Sequence, residues 1–362
     1  MSRRRWVLGS LGGAVGVAAT GAAIGLLRQQ RAISRHAGDD VTLGTLRSSP
    51  LTVVADDGLP LHVEIDEAEP LESGPRRLFS RTDDDAPVTV IFAHGYCLNL
   101  DSWHFQRAAY RGLVRSVFYD QRSHGRSGRS DRAHATIDQL GRDLARVIEV
   151  VAPDGPVVLV GHSMGGMTIA ALVEQFPELI GTTVIGVALV STTAGGLDPS
   201  RVLLPMLPAR LTGRATHGAV AALQRGHRTV DTVRRVGRVI ANSATNRFAF
   251  GGDVPESYLR FVDDMLSATP FEVVADFFPN FATLDKFDHV GVLNQVPVSI
   301  ICGTHDKLTA VGHSRKLHRW IEGSVLLECQ GAGHMVPMER HDQVNAELDQ
   351  LITSAVERAA AR

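Results

Sequence analysis

The chain has 362 residues and 44% of them are apolar, so it can bury a large core and is not a disordered chain. Its formal net charge at pH 7 is only −2, which gives no electrostatic reason to bind nucleic acid. The three cysteines, Cys97, Cys302 and Cys329, have no metal-ligand spacing, and a disulfide scaffold is not expected.

Residues 1–40 are expected to form an N-terminal hydrophobic anchor or export signal. Arg3, Arg4 and Arg5 precede an uncharged apolar run from Trp6 to Leu27, which is long enough to span a bilayer. The arginines before the tryptophan also resemble a twin-arginine export signal. A hydrophobic helix packed on the domain is the alternative, but the run has no polar face. We therefore expect a membrane-anchored or exported protein, with membrane association through residues 6–27.

After this segment, short apolar runs alternate with amphipathic stretches. A hairpin of strands 51–54 and 59–65 is predicted around an Asp-Gly turn. The next predicted strands are 88–92, 114–119, 157–160, 184–190, 298–302 and 324–328. The predicted helices are 137–151, 164–176 and 339–358. Apolar strands with helical crossovers indicate an α/β fold, with a mostly parallel central sheet and helices on both faces.

The alternation stops between Gly195 and about His289, where no apolar run typical of a strand occurs. Helical patterns are visible at 217–223 and 229–241. Because a structureless loop of that length is rare in a compact domain, we expect an inserted helical lid over residues 196–289. The predicted divisions are the N-terminal segment 1–40, a first core part 41–195, the lid 196–289 and a second core part 290–362.

The strand at 157–160 leads into a Gly-x-Ser-x-Gly pattern centred on Ser163, and an amphipathic helix follows at once. Small residues at Gly161 and Gly165 allow strand and helix to pass closely, so that a sharp turn lifts the serine hydroxyl clear of the sheet. The helix N-terminus favours negative charge developing there. This context predicts a nucleophile, whereas the pattern alone also fits an ordinary glycine-rich turn.

The segment Gly-His-Ser-Met-Gly-Gly at 161–166 is similar to the elbow of lipases and carboxylesterases, and the chain resembles the α/β-hydrolase superfamily over roughly 50–195 and 290–360. The resemblance implies a nucleophile, an acid and a base in the chain order Ser, Asp, His. The sequence contains no metal-ligand cluster, Walker loop or dinucleotide-binding fingerprint. We therefore expect no cofactor and no metal.

A serine nucleophile needs a base, and the base needs an acid to orient it. His334 lies in a glycine-rich loop between the last strand and the last helix, where the family places its catalytic histidine. Asp306 follows the strand at 298–302 in a turn that resembles the family's acid turn. The rival position after strand 184–190 offers no acid before Asp198. The predicted triad is therefore Ser163, Asp306 and His334.

Two backbone N–H groups are expected to stabilise the oxyanion of an ester transition state. The amide of Met164, directly after the nucleophile, is one. By resemblance to the family the other is the amide of Tyr96, in the loop after strand 88–92, although the tyrosine side chain can instead wall the pocket.

Three further carboxylates are expected to lie outside the chemistry. Asp120 begins a stretch similar to the family's D-x-R-G-x-G-x-S sequence, with Ser123 where glycine is common, and a structural turn is predicted there. Asp138 and Asp143 fall on a predicted helix, and we expect both to be solvated.

The lid segment is rich in apolar residues, at 203–208 and at Phe277, Phe278 and Phe281. Much of this is expected to be packing of the lid on the core, and the remainder favours a pocket for an acyl chain. The function predicted is that of a serine hydrolase cleaving a lipophilic carboxylic ester through an acyl-enzyme, with a small-molecule ester or lipid as its substrate.

Other functions fit the same residues. Ser163 excludes the epoxide hydrolases and haloalkane dehalogenases of this fold, which attack with aspartate at the elbow. A cofactor-free haloperoxidase or acyltransferase, and a carbon–carbon bond hydrolase, use the same triad. A non-catalytic binding protein on this fold has no need of the triad together with both oxyanion donors.

Overall fold

The computed structural model of the protein describes residues 42–69, 87–197 and 248–362. The predicted N-terminal anchor and the apolar lid stretch at 203–208 lie outside these ranges. Within the described ranges, no helix combines the length and the apolar character needed to cross a membrane.

The described residues contain one sheet of eight strands. They are β1 (Pro50–Val54), β2 (Pro60–Asp66), β3 (Thr89–Ala93), β4 (Arg115–Tyr119), β5 (Val157–His162), β6 (Val184–Val190), β7 (Val298–Gly303) and β8 (Val325–Cys329). Their order across the sheet is β1-β2-β4-β3-β5-β6-β7-β8. The pairs β1–β2 and β2–β4 are antiparallel and the other neighbours are parallel. The predicted mostly parallel sheet is therefore confirmed.

Helices connect most of these strands. They are α1 (His104–Tyr110), α2 (Ile137–Val151), α3 (Met164–Gln175), α4 (Glu256–Ala268), α5 (Phe271–Thr283), α6 (Phe287–Val290), α7 (Val311–Trp320), α8 (Val336–Glu339) and α9 (His341–Ala360). The last helix was expected to begin at Glu339, but α8 ends there. The backbone at Arg340, with φ −134° and ψ 39°, departs from helical values and separates α8 from α9.

Helices cover both faces of the sheet, because successive side chains of a strand point to opposite faces. On β5, Leu159 belongs to a core cluster that includes side chains of α2, α3 and α7. Its neighbours Val158 and Val160 belong to a second cluster that includes side chains of α1 and α9. Since β5 is central in the sheet, the loop at its carboxyl end is surrounded by the loops that follow β3, β6 and β7.

Between β6 and β7, the described residues form α4, α5 and α6 and no strand. The two ends of the insertion meet at a bridge between Gly195 and Asp285, and the Lys286 amide donates to the Ala194 carbonyl at 2.7 Å. The insertion therefore leaves and rejoins the core at one point, close to the end of β6.

Candidate active site

Ser163 occupies a sharp turn between β5 and α3. Its backbone has φ 52° and ψ −115°, a strained conformation for a residue with a side chain. A side-chain carbon at Gly161 would lie 2.5 Å from the Gly165 carbonyl oxygen, and one at Gly165 would lie 2.1 Å from the Ala93 carbonyl oxygen. Glycine is therefore required at both positions. The turn leaves Ser163 at the N-terminus of a 12-residue helix whose first residue is Met164.

Asp306 and His334 are brought together by the loops that follow β7 and β8. His334 Nδ1 lies 2.9 Å from Asp306 Oδ2, and both side chains are buried. Burial alone raises the pKa of the Asp306 carboxyl, but the charge interaction with His334 and several hydrogen bonds outweigh it and lower that pKa. Asp306 is thus a charged acceptor at neutral pH, and it fixes the His334 tautomer with hydrogen on Nδ1.

Thr309 was not predicted from the sequence, yet it touches this pair. Its hydroxyl lies 2.9 Å from Asp306 Oδ2, 2.8 Å from the Ser191 carbonyl oxygen and 3.3 Å from His334 Nδ1. Having one hydrogen, it donates to one acceptor at a time. The end of β6, considered above as the rival position for the acid, therefore contributes a backbone carbonyl through Ser191.

His162 links His334 to the elbow and was also missed. Its Nε2 donates to the His334 carbonyl at 3.0 Å, and the two rings lie 4.9 Å apart. Burial, together with the neighbouring His334, lowers the pKa of His162 to about 3, so its ring is neutral. Because His162 immediately precedes Ser163, this bond holds the loop that carries His334 against the turn that carries the serine. A histidine inside the Gly-x-Ser-x-Gly pattern was the available signal.

The loop after β3 runs beside the same turn. A side-chain carbon at Gly95 would lie 3.2 Å from Ser163 Cβ, so the adjoining Tyr96 peptide is close to the serine. His94 holds this loop in place. Its Nδ1 donates to the Gly95 carbonyl at 2.7 Å, and its Nε2 accepts from the backbone N–H of Gln121 at 3.0 Å. Burial lowers the pKa of His94 to about 3, which keeps the ring neutral. The position of the loop is compatible with the predicted oxyanion role of the Tyr96 amide.

The Tyr96 side chain connects this loop to the helices inserted between β6 and β7. Its hydroxyl donates to the Val274 carbonyl in α5, and its ring meets Phe281 edge-on at 5.0 Å. The Thr269 hydroxyl, just before α5, donates to the Cys97 carbonyl at 3.1 Å. The inserted segment is therefore bonded directly to the loop that carries the candidate oxyanion donor.

An apolar cluster packs against the N-terminal end of α3. It joins Met164 and Met167 with side chains of α5, and Tyr96 packs against it. The α5 members are Val273, Phe277, Phe278 and Phe281. Chemically, the site thus combines a serine hydroxyl at a helix N-terminus, a carboxylate-oriented imidazole and an apolar wall, which are groups able to form and release an acyl intermediate.

Asp120 forms the structural turn that was predicted. Its carboxylate accepts from the amides of Leu100 and Arg126, both at 2.8 Å. Ser123, where glycine is common in the family, has φ 67°, the left-handed conformation that favours glycine. The turn therefore holds a serine in a backbone conformation that glycine adopts more easily.

The expectation that Asp143 is solvated is wrong. The Asp143 side chain is 1% exposed and lies 2.6 Å from the Arg122 guanidinium, which is itself fully buried. A buried guanidinium requires a counter-charge, and Asp143 and Asp57 supply it. Asp138, in contrast, is 57% exposed and contacts Lys286. No group of three or more potential metal ligands occurs in the ranges that the structure describes.

Comparison with known proteins agrees with the observed fold. A model of the alpha/beta hydrolase family matches residues 90–347. An uncharacterized protein of Mycobacterium tuberculosis is 27% identical over 270 residues, covering 72% of this chain and 73% of that protein. A monoacylglycerol lipase of Mycolicibacterium smegmatis is 25% identical over 241 residues, covering 65% of this chain and 76% of the lipase. A thermophilic esterase structure from Thermogutta terrifontis has a TM-score of 0.63 at 20% identity, covering 85% of this chain and 99% of that chain.

Proposed function

The chain belongs to the alpha/beta hydrolase family, and we propose that it hydrolyses lipophilic carboxylic esters with Ser163 as nucleophile, His334 as general base and Asp306 as the orienting acid. One observation carries the proposal. The hydrogen-bonded pair of Asp306 and His334 is attached, through the His334 carbonyl and His162, to the strained turn that presents Ser163. A non-catalytic protein has no use for this arrangement.

In the proposed mechanism, Ser163 Oγ attacks the ester carbonyl while His334 Nε2 takes the hydroxyl proton. Asp306 stabilises the imidazolium that forms and keeps its orientation. The amides of Met164 and Tyr96 donate to the oxyanion of the tetrahedral intermediate. When the intermediate collapses, the carbon–oxygen bond breaks and the alcohol leaves with the proton from His334. Water, activated by His334, then releases the acid and restores the serine.

The preference for a lipophilic ester is drawn from the α5 side chains that pack toward Met164. Phe277 and Phe278 are both buried, and they belong to an apolar cluster that includes Met164, the first residue of the helix after the nucleophile. Ligand sites are mostly apolar with few polar groups, and an acyl chain that reached this cluster would find apolar side chains around it. The similarity to a monoacylglycerol lipase supports the same substrate class.

A series of p-nitrophenyl esters from acetate to dodecanoate tests the proposal on the full-length protein. We expect kcat/KM to be larger for octanoate than for acetate, and Ser163→Ala to lower kcat by at least about 10³-fold. His334→Ala should lower it about as much, because the members of a triad act as a unit.

The controls separate chemistry from folding. Both variants must give the wild-type melting temperature within a few degrees. Retention of most of the activity by Ser163→Ala contradicts the assigned nucleophile, and a preference for acetate of tenfold or more contradicts the lipophilic substrate, since one methylene is worth only about 1 kcal/mol.

A further inference from the structure

The carboxylate of Glu339, at the end of α8, joins two separate segments of the chain. Its Oε1 accepts from the Gly333 amide at 2.6 Å, and its Oε2 accepts from the Gly251 amide at 3.0 Å. Gly333 immediately precedes His334. Gly251 belongs to the stretch that precedes α4. One side chain thus bonds the loop that carries His334, called the base loop, to the stretch that precedes α4.

The two segments cross with almost no space between them. A side-chain carbon at Gly251 would lie 2.2 Å from the Gly331 carbonyl oxygen, and one at Gly333 would lie 2.4 Å from the Gly251 nitrogen. The Met335 amide also donates to the Ala249 carbonyl at 2.8 Å. Since such close backbone contact tolerates little displacement, a shift at Gly251 is transmitted to the base loop.

The backbone around His334 is therefore held at three successive points. Glu339 fixes the amide before it, at Gly333. His162 fixes the His334 carbonyl, and Ala249 accepts from the amide after it, at Met335. Of the three, Glu339 supplies the one charged group, and hydrogen bonds to a charged acceptor are about twice as strong as neutral ones.

The fold keeps this carboxylate at an energetic cost. Burial raises the pKa of Glu339, and the nearby Asp306 acts in the same direction, while the two amide donors and Arg340 act against them. A glutamine of the same shape would avoid the burial of charge, but its amide nitrogen would face one of the two N–H donors. The ionised carboxylate is the side chain that accepts from both.

We propose that Glu339 is a positioning residue. By bonding the base loop to Gly251, in the stretch before α4, it fixes the position of the His334 imidazole relative to Ser163. The inference rests on the proposed function, because it assumes that His334 is the base for Ser163. A displacement of about 1 Å of a catalytic group can lower a rate by up to about 10²-fold. Loss of this bond should therefore slow chemistry at sites that are still folded and still bind substrate.

The test compares full-length wild type, Glu339→Gln and the exposed control Glu322→Gln. A fluorophosphonate probe gives both the fraction of reactive Ser163, from the amplitude of labelling, and the second-order rate constant of labelling. Then kcat and KM for a p-nitrophenyl ester are expressed per reactive site. We expect Glu339→Gln to keep its amplitude and its KM within twofold of wild type, while the labelling rate and kcat per site fall roughly tenfold. Glu322→Gln should match wild type.

A kcat per site within twofold of wild type in Glu339→Gln overturns the proposal, as does a loss confined to the labelling amplitude. If Glu339→Gln does not fold, Glu339→Asp keeps the charge but reaches less far, and it should lose at least threefold in kcat per site; an unchanged value overturns the proposal. If wild type is not labelled, or Ser163→Ala still hydrolyses ester, the proposed function fails first. A labelled wild type with an inert Ser163→Ala and an unaffected Glu339→Gln removes this inference alone.

Discussion

Two regions flank the Ser163 turn, and one is polar while the other is apolar. The polar edge consists of side chains from loops at the carboxyl ends of β3, β5, β7 and β8, each held by defined hydrogen bonds. The apolar roof consists of α5 side chains held by van der Waals contacts with their neighbours. The polar edge comprises His94, His162, Asp306, Thr309 and His334, and the apolar roof comprises Val273, Phe277, Phe278 and Phe281.

The difference bears on how each region tolerates change. In the polar edge a buried donor or acceptor that loses its partner leaves an unsatisfied group, which is expensive, and the geometry of the reacting atoms shifts with it. In the apolar roof a change of volume is spread over many weak contacts. Substitutions in the polar edge should therefore act on kcat, whereas those in the apolar roof should act in a graded way on substrate preference.

The largest effect that sharpens this comparison is expected from Asp306→Asn. The side-chain amide can donate to His334 Nδ1, which selects the tautomer that cannot accept the serine proton on Nε2. We expect kcat to fall by roughly 10²–10⁴-fold with little change in KM. The measurement is ester hydrolysis per fluorophosphonate-reactive site.

Asp288→Asn, at an exposed position of α6, is the matched control and should retain wild-type kcat. If Asp306→Asn stays within tenfold of wild type, His334 is oriented by other groups and Asp306 is not the acid of the triad.

Part of the candidate site was predictable from the sequence, because its signals are local. The Ser163 turn was found from the apolar run and the glycines around it, since strand, turn and helix are contiguous in the chain. Asp306 and His334 were found by resemblance, because each lies in a loop that follows a recognisable strand. Their hydrogen bond is observed, while their catalytic role stays a prediction.

What sequence reasoning missed depends on contacts between distant segments. His162 and its acceptor are 172 residues apart, and Glu339 and Gly251 are 88 apart. Asp143 was placed on the correct helix but given the wrong environment, because its partner Arg122 is a buried cation from another element. No periodicity or spacing in the sequence indicates such partners, because they come together only when the chain has folded.

The second prediction uses the neutral histidines of the polar edge and its surroundings. Burial lowers the pKa of His124 from its ordinary value of 6.5 to about 4. His124 is therefore protonated below about pH 6.5 in the unfolded chain but only below about pH 4 in the folded chain. The free energy of unfolding consequently falls as the pH drops from 6.5 to 4. We expect this one residue to remove about 2 kcal/mol of unfolding free energy between pH 7 and pH 5.

Replacing His124 by phenylalanine keeps a ring against Phe277, which lies 5.4 Å away, and removes the titrating group. Urea unfolding of His124→Phe at pH 7 and pH 5 should therefore show a smaller loss of stability than wild type, by about that amount. Phe271→Leu, which changes no titrating group at an exposed position, serves as control and should lose as much as wild type. Equal losses in all three proteins would show that His124 is protonated in the folded state.

The smallest effect is expected in the apolar roof, from Phe278→Leu. Phe278 is 9% exposed and packs in the cluster that reaches Met164, while Phe271, at the start of the same helix, is 44% exposed and lies outside that cluster. Replacing phenylalanine by leucine removes contact area for an acyl chain worth about 1 kcal/mol, which corresponds to roughly fivefold. The octanoate-to-acetate ratio of kcat/KM should fall by about that factor in Phe278→Leu, with kcat for acetate nearly unchanged.

Phe271→Leu should leave the ratio within twofold of wild type. If Phe278→Leu instead lowers kcat equally for both esters, the apolar roof acts by supporting the polar edge, and the division of labour between the two regions is wrong. If both phenylalanine variants leave the ratio unchanged, the acyl chain does not contact α5 and the lipophilic pocket must be sought elsewhere in the protein.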